Sequence, residues 1–148
     1  MITRNRLLTM AAVLVVMLTF VSALSAQSRK PPRDPAAIQR KVQRSAELQR
    51  QALGALSEPT KAVRLAESAY TQLKAAQDDM IINATTAKSL DPIQELNGRK
   101  VGQALTLVQQ ASDALIDGRG TPDSGVALAR DRLQQALRVT NSLLATGF

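Results

Sequence analysis

Three groups of residues in this chain are spaced so that they could do chemistry: the cations Arg40, Lys41 and Arg44, the adjacent carboxylates Asp78 and Asp79, and the pair Asp113 and Asp117. On a helix Arg40 and Arg44 stand one turn apart with Lys41 beside them, which makes a ridge able to hold an anion or a partner by charge. At about 100° per residue, Ile38, Val42 and Leu53 fall on the opposite side and leave the ridge to solvent. A solvated face that only keeps the protein soluble is the competing reading. Asp78 and Asp79 diverge by about 100° on a helix, a poor geometry for a general acid and base that must meet one substrate. Asp113 and Asp117 share a helix face ahead of Gly118. A calcium loop fails on spacing, since Leu115 and Ser124 stand where positions three and twelve need oxygen-rich ligands, so solvated carboxylates are expected.

Composition narrows the chemistry further. The 148 residues include no Cys, His or Trp, and beyond residue 26 the only aromatic side chains are Tyr70 and Phe148. The usual haem and zinc ligands are therefore missing, along with disulfides and cysteine or histidine catalysis. A protein that is not an enzyme, and that needs no cofactor or metal, is the expectation. The net charge of +7 is concentrated: seven basic and two acidic residues lie between Arg29 and Arg50, whereas from Gln51 to Phe148 there are ten of each. Anionic lipid, an envelope polymer or an acidic protein would suit such a segment. Nucleic acid is disfavoured, because no aromatic side chain interleaves the charges to stack on bases.

Arg4 and Arg6 precede an uncharged run from Leu7 to Leu24 that ends in small residues, the anatomy of a signal peptide over residues 1–26. Cleavage after Ala23, Ser25 or Ala26 fits equally well. With no Cys there is no lipoprotein attachment site, and Arg4 and Arg6 are not adjacent as a twin-arginine signal requires. The alternative is an uncleaved membrane anchor over residues 7–24, whose helical length of about 27 Å approaches the roughly 30 Å hydrocarbon core. Only in that case is membrane attachment expected. Arg29, Lys30, Pro31-Pro32 and Arg33 then make residues 27–33 a stiff, basic, proline-rich tether.

From Asp34 onward the chain reads as all-α. Asp34-Pro35, Asp91-Pro92 and Thr121-Pro122 each pair an N-cap residue with proline at the first helical position, and Ser57 with Pro59 opens a further helix. Four helices are expected over residues 34–148: Pro35 to Leu56, Glu58 to Lys88, Pro92 to Asp117 with Gly118 closing it, and Pro122 to Ala145. Short connections imply an antiparallel up-down four-helix bundle following the N-terminal signal or anchor helix. In the second helix Val63, Ala66, Tyr70, Leu73, Gln77, Met80, Ala84 and Ala87 keep a 3,4 spacing that predicts the buried seam, flanked by the small row Ala62, Ala69 and Ala76. The other stripes are Ile38, Val42, Ala46, Leu53 and Leu56; Val101, Ala104, Val108, Ala111 and Leu115; and Val126, Ala129, Leu133, Ala136, Thr140 and Leu143. Residues Ile81 to Thr86 are rich in β-branched side chains, so the second helix is expected to overhang or fray.

The first and third helices align at an offset of 59, where Arg40-Lys41-Val42 matches Arg99-Lys100-Val101 and Leu48, Gln51, Ala52, Ala55 and Leu56 match Leu107, Gln110, Ala111, Ala114 and Leu115. A duplicated hairpin and coincidence in a restricted helical alphabet explain this equally well. Asn83-Ala84-Thr85 fits the glycosylation sequon but lies inside a helix, where use is not expected. Gly98 and Gly102 form a small-xxx-small step expected to admit close packing by the second helix, or by a second copy of the chain.

Leu105-Thr106-Leu107-Val108-Gln109 resembles the LTxxQ motif of Spy-like periplasmic chaperones, which are similarly small, basic and helical. The resemblance covers five residues in a single copy, so it implies only an alternative role as a periplasmic chaperone or stress protein. The leading expectation is an exported, periplasmic or extracellular, cofactor-free helical bundle that serves as a binding or structural module of the cell envelope, with Arg40, Lys41 and Arg44 facing an anionic partner.

Overall fold

Proline and aspartate set where the helices begin. The computed structural model describes residues 31–87, 91–118 and 122–148, and these form four helices with no strand among them: α1 (Pro35–Gly54), α2 (Pro59–Thr86), α3 (Pro92–Asp117) and α4 (Pro122–Thr146). The expected signal segment, residues 27–30 of the tether, the Thr121 cap and Lys88 lie outside the described residues. Asp34 accepts a hydrogen bond from the Ala36 N–H at 3.0 Å, and Asp91 one from the Ile93 N–H at 2.9 Å. Each cap satisfies a donor that the first helical turn leaves without a carbonyl, while the following proline has no N–H to satisfy.

The remaining ends depart from expectation for local reasons. α1 stops at Gly54 rather than Leu56, because the chain turns through Ala55, which donates to the Ala52 carbonyl, and Glu58, which donates to that of Ala55. Glu58 rather than Ser57 is the N-cap of α2, and it makes no side-chain cap hydrogen bond. At its far end α2 stops at Thr86, where the hydroxyls of Thr85 and Thr86 bond back to carbonyls of Ile82 and Asn83. The Asn83 side chain accepts from the Arg33 N–H at 2.6 Å and donates to the Arg33 carbonyl at 3.0 Å, which clamps the entry to α1 onto this end of α2.

The helices pack as a bundle in which α1 and α3 each border both α2 and α4. Val42, Leu73, Val101, Val108, Leu133 and Leu143 form its fully buried centre, each burial contributing about 1.5–3 kcal/mol relative to exposure. On α2 the buried row is Ala62, Ala66, Ala69, Leu73 and Ala76, all at 0% exposure, while Val63, Tyr70 and Met80 are only partly buried. Ala66 and Leu73 of the expected seam are thus buried, while its Val63 and Tyr70 positions give way to Ala62 and Ala69 of the small row. Alanine carries no bulk beyond Cβ, so neighbouring helices close onto that row and push the larger side chains to its edge. Leu53 on α1 is likewise half-buried, its place inside taken by Leu48 and Ala52.

The matched positions of α1 and α3 sit in matched surroundings. Val42 and Val101 are both at 0% exposure, Ala52 and Ala111 both at 0%, and Leu48 and Leu107 both at 8%. One set of spacings builds both helices. The symmetry breaks at Gln49, which occupies the position that Val108 holds in α3. Gln49 and its neighbour Ser45 are fully buried, and Gln49 Nε2 donates to Ser45 Oγ and to Thr140 Oγ1 on α4, both at 3.1 Å. Ser45 and Thr140 pass their own protons to the carbonyls of Ala69 and Ala136. A polar thread thus joins α1, α2 and α4 through the apolar centre, and only Gln49 Oε1 is left without a partner.

Gly118 ends α3 with φ −69°, so it is not there to adopt a left-handed turn. Its role is proximity: a Cβ on Gly118 would stand 2.8 Å from Gly125 Cα, and one on Gly125 would stand 2.6 Å from the Ala114 carbonyl oxygen. The backbones of α3 and α4 meet there. Gly98 and Gly102 do not behave this way, since a Cβ at either would find nothing within 4 Å. The expected close-packing step is absent among the described residues, where neither glycine faces a neighbouring backbone.

Candidate functional site: a basic face and an end cavity

Helix periodicity carries Arg40, Lys41 and Arg44 onto one side of α1, and packing against α2 then distinguishes them. Lys41 is half-buried, and its ammonium donates to Asp79 Oδ2 on α2. Arg33 Nε approaches the other oxygen of Asp79 at 3.6 Å. Arg44 is exposed and pairs with Glu47 at 2.7 Å along its own helix, while Arg40 is exposed and makes no ion pair or hydrogen bond among the described residues. The ridge is thus unequal: Lys41 is committed to holding α1 on α2, and Arg40 and Arg44 face solvent. An i,i+3 pair at the surface is worth a few tenths of a kcal/mol, so Glu47 would release Arg44 readily to an anion.

Asp79 is the participant that sequence spacing missed. It is buried to 8% exposure although charged, because it continues the row Ala69, Leu73, Ala76 by three more residues. A carboxylate on a buried row was the available signal. Burial without compensation would be costly, and Lys41 and Arg33 supply the compensation. Its neighbour Asp78 turns outward and pairs with Lys74 at 2.9 Å. That hydrogen bond holds the Lys74 ammonium above its ordinary pKa. The two carboxylates therefore serve different partners and do not converge on one point.

Asp113 and Asp117 are exposed, and Asp113 accepts from Gln109 at 2.9 Å. No group of three or more carboxylates, histidines or cysteines able to hold a metal ion occurs among the described residues. In the LTxxQ stretch Leu105, Leu107 and Val108 are core residues, and the Thr106 hydroxyl bonds back to the Gly102 carbonyl. These residues are accounted for by the packing of α3. The Asn83 amide of the sequon is engaged by Arg33, as described above.

The second feature is a cavity of about 410 Å³ where the start of α1, the end of α2 and the start of α3 meet Phe148. Ile38, Met80, Ile81, Ala84, Gly98 and Phe148 supply most of its apolar wall, with Glu95 and Arg99 at its edge paired to each other at 2.6 Å. Asn97 also lines it and is 1% exposed; its Nδ2 donates to the Gly147 carbonyl at 2.7 Å, and its Oδ1 has no partner. Gly147 takes φ +81°, the left-handed conformation that glycine alone adopts cheaply, and this turn sets Phe148 against the cavity. No helix among the described residues is long and apolar enough to cross a membrane. No protein-family model, curated protein or solved structure matches this chain.

Proposed function

We propose that this chain is an exported, cofactor-free binding or structural module of the cell envelope, not an enzyme, that engages anionic partners through the α1 face carrying Arg40, Lys41 and Arg44. The observation that carries the reading is the solvent exposure of Arg40 and Arg44 on a helix whose opposite side is buried. Export is supported by Arg4, Arg6, the uncharged run Leu7 to Leu24 and the small residues that follow. An antiparallel up-down arrangement is part of the same proposal. It is supported by pairs that run in opposite senses along the chain: Arg33 with Asn83, Lys41 with Asp79 and Ser45 with Ala69, and likewise Asn97 with Gly147, Lys100 with Ser142 and Gly118 with Gly125.

The test is co-sedimentation of the mature protein with vesicles containing a large fraction of phosphatidylglycerol. Binding should be strong at low ionic strength and fade as the Debye length falls to about 8 Å near physiological salt. Arg40→Gln with Arg44→Gln should weaken it on the order of thirtyfold, at about 1 kcal/mol for each charge near an anionic surface. Lys41 stays in place in this variant, because removing it would strand Asp79. Equal binding by parent and double variant would reduce the ridge to a solubilising surface.

A further inference from the structure

The end cavity has a composition and a mouth that the basic face of α1 does not explain. Its wall is mostly aliphatic and aromatic, with Gln77, Asn83 and Gln94 also among the lining, and its volume of about 410 Å³ lies within the roughly 300–1,000 Å³ usual for small-molecule sites. Gly98 is in the interior of α3, where glycine costs about 1 kcal/mol relative to alanine. No close backbone approach accounts for it, since a Cβ there would meet nothing within 4 Å. Its visible consequence is the space itself. The apolar wall also reaches solvent: Ile81, part of the lining, is 52% exposed, beside the exposed and mutually paired Glu95 and Arg99. Of the polar residues that line it, Asn83 is engaged by Arg33, Gln77 accepts from Lys74, and Asn97 gives one amide proton to Gly147 while its carbonyl oxygen has no partner.

We propose that this cavity binds the aliphatic chain of a single-chain amphiphile, with the headgroup left at the mouth beside Glu95 and Arg99. A flexible alkyl chain needs no hydrogen-bond partners and fills an irregular apolar space such as the one that Ile38, Met80 and the partly exposed Ile81 line. Gln77, Asn83 and Asn97 are each engaged with other parts of the protein, which leaves few groups to orient a compact polar ligand. Burial of the chain drives binding, at about 0.8 kcal/mol for each methylene taken out of water. This site does not depend on Arg40 or Arg44.

Dodecanoate is the probe, below its micellar concentration, read by displacement of the dye anilinonaphthalene sulfonate and by isothermal calorimetry. Saturable binding of one dodecanoate per chain, with a negative heat-capacity change, is expected. Gly98→Leu should place a side chain in the cavity and weaken binding at least about tenfold while leaving the melting temperature unchanged or higher. Ala84→Leu fills the same space from α2 and should act alike, which covers the case of one variant folding poorly. Arg40→Gln with Arg44→Gln should bind dodecanoate as the parent does. The proposal is overturned by absence of saturable binding, by parental affinity in both filled variants, or by loss of binding in the arginine variant, which would assign the fatty acid to the basic face.

Discussion

Asp79 governs what α1 can offer a partner, because it occupies Lys41 and draws in Arg33 while leaving Arg40 and Arg44 outside. Lys41→Ala should therefore cost about 1–3 kcal/mol, the usual loss when a buried charged acceptor is deprived of its donor, whereas Arg40→Ala should stay within about 0.5 kcal/mol. Urea denaturation of the two variants checks this, and equal effects would mean that Asp79 is compensated without Lys41. A second residue, Gln49, tests the polar thread. Gln49→Met removes a buried amide whose Oε1 has no partner, and it leaves Ser45 and Thr140 still donating to their carbonyls. Its stability should lie within about 1 kcal/mol of the parent, on the favourable side, since an apolar group of similar size replaces a partly satisfied polar one. A loss of several kcal/mol in the same melts would show that the amide itself holds the three helices together.

At the scale of the element, the row Ala62, Ala69 and Ala76 and the glycines at 118 and 125 follow one physical rule. Where a side chain is absent, a neighbouring backbone comes in, and the larger residues beside it are displaced to the rim. Gly102 breaks the rule, having no neighbour within 4 Å of where its Cβ would stand. Gly102→Ala should accordingly raise stability by about 0.5–1 kcal/mol through helix propensity alone. Gly118→Ala should lower it by about 1–3 kcal/mol, because its methyl group would press on Gly125 Cα and force the helices apart. Thermal melts that move the same way for both would contradict the backbone contact between α3 and α4.

For the whole molecule, the basic segment from Arg29 to Arg50 and the near-neutral remainder concentrate the charge on one helix and its approach. Such asymmetry orients association with an anionic surface and makes it dependent on salt. The proposed export makes a prediction of its own. Protein recovered from the compartment in which it accumulates should have an intact mass corresponding to a chain that starts between Leu24 and Gln27. Recovery only in detergent, at full length, would instead favour the anchor at residues 7–24.

What the sequence determined by itself is local. Asp34-Pro35 and Asp91-Pro92 are caps whose donors and acceptors lie within three residues, so their helices could be bounded without knowing what packs on them. The alternation of Val42 and Ala46, or of Leu133 and Ala136, marks an inward face in the same way. Tertiary structure alone decided between the two apolar rows of α2, because Val63 and Tyr70 lie only about 100° from Ala62 and Ala69. A rotation that small leaves the periodicity almost unchanged, and only the approach of α1 and α3 settles it. The same holds for the Lys41–Asp79 pair, separated by 38 residues, and for the cavity, which is the space left where three helix ends and Phe148 meet and belongs to no single segment.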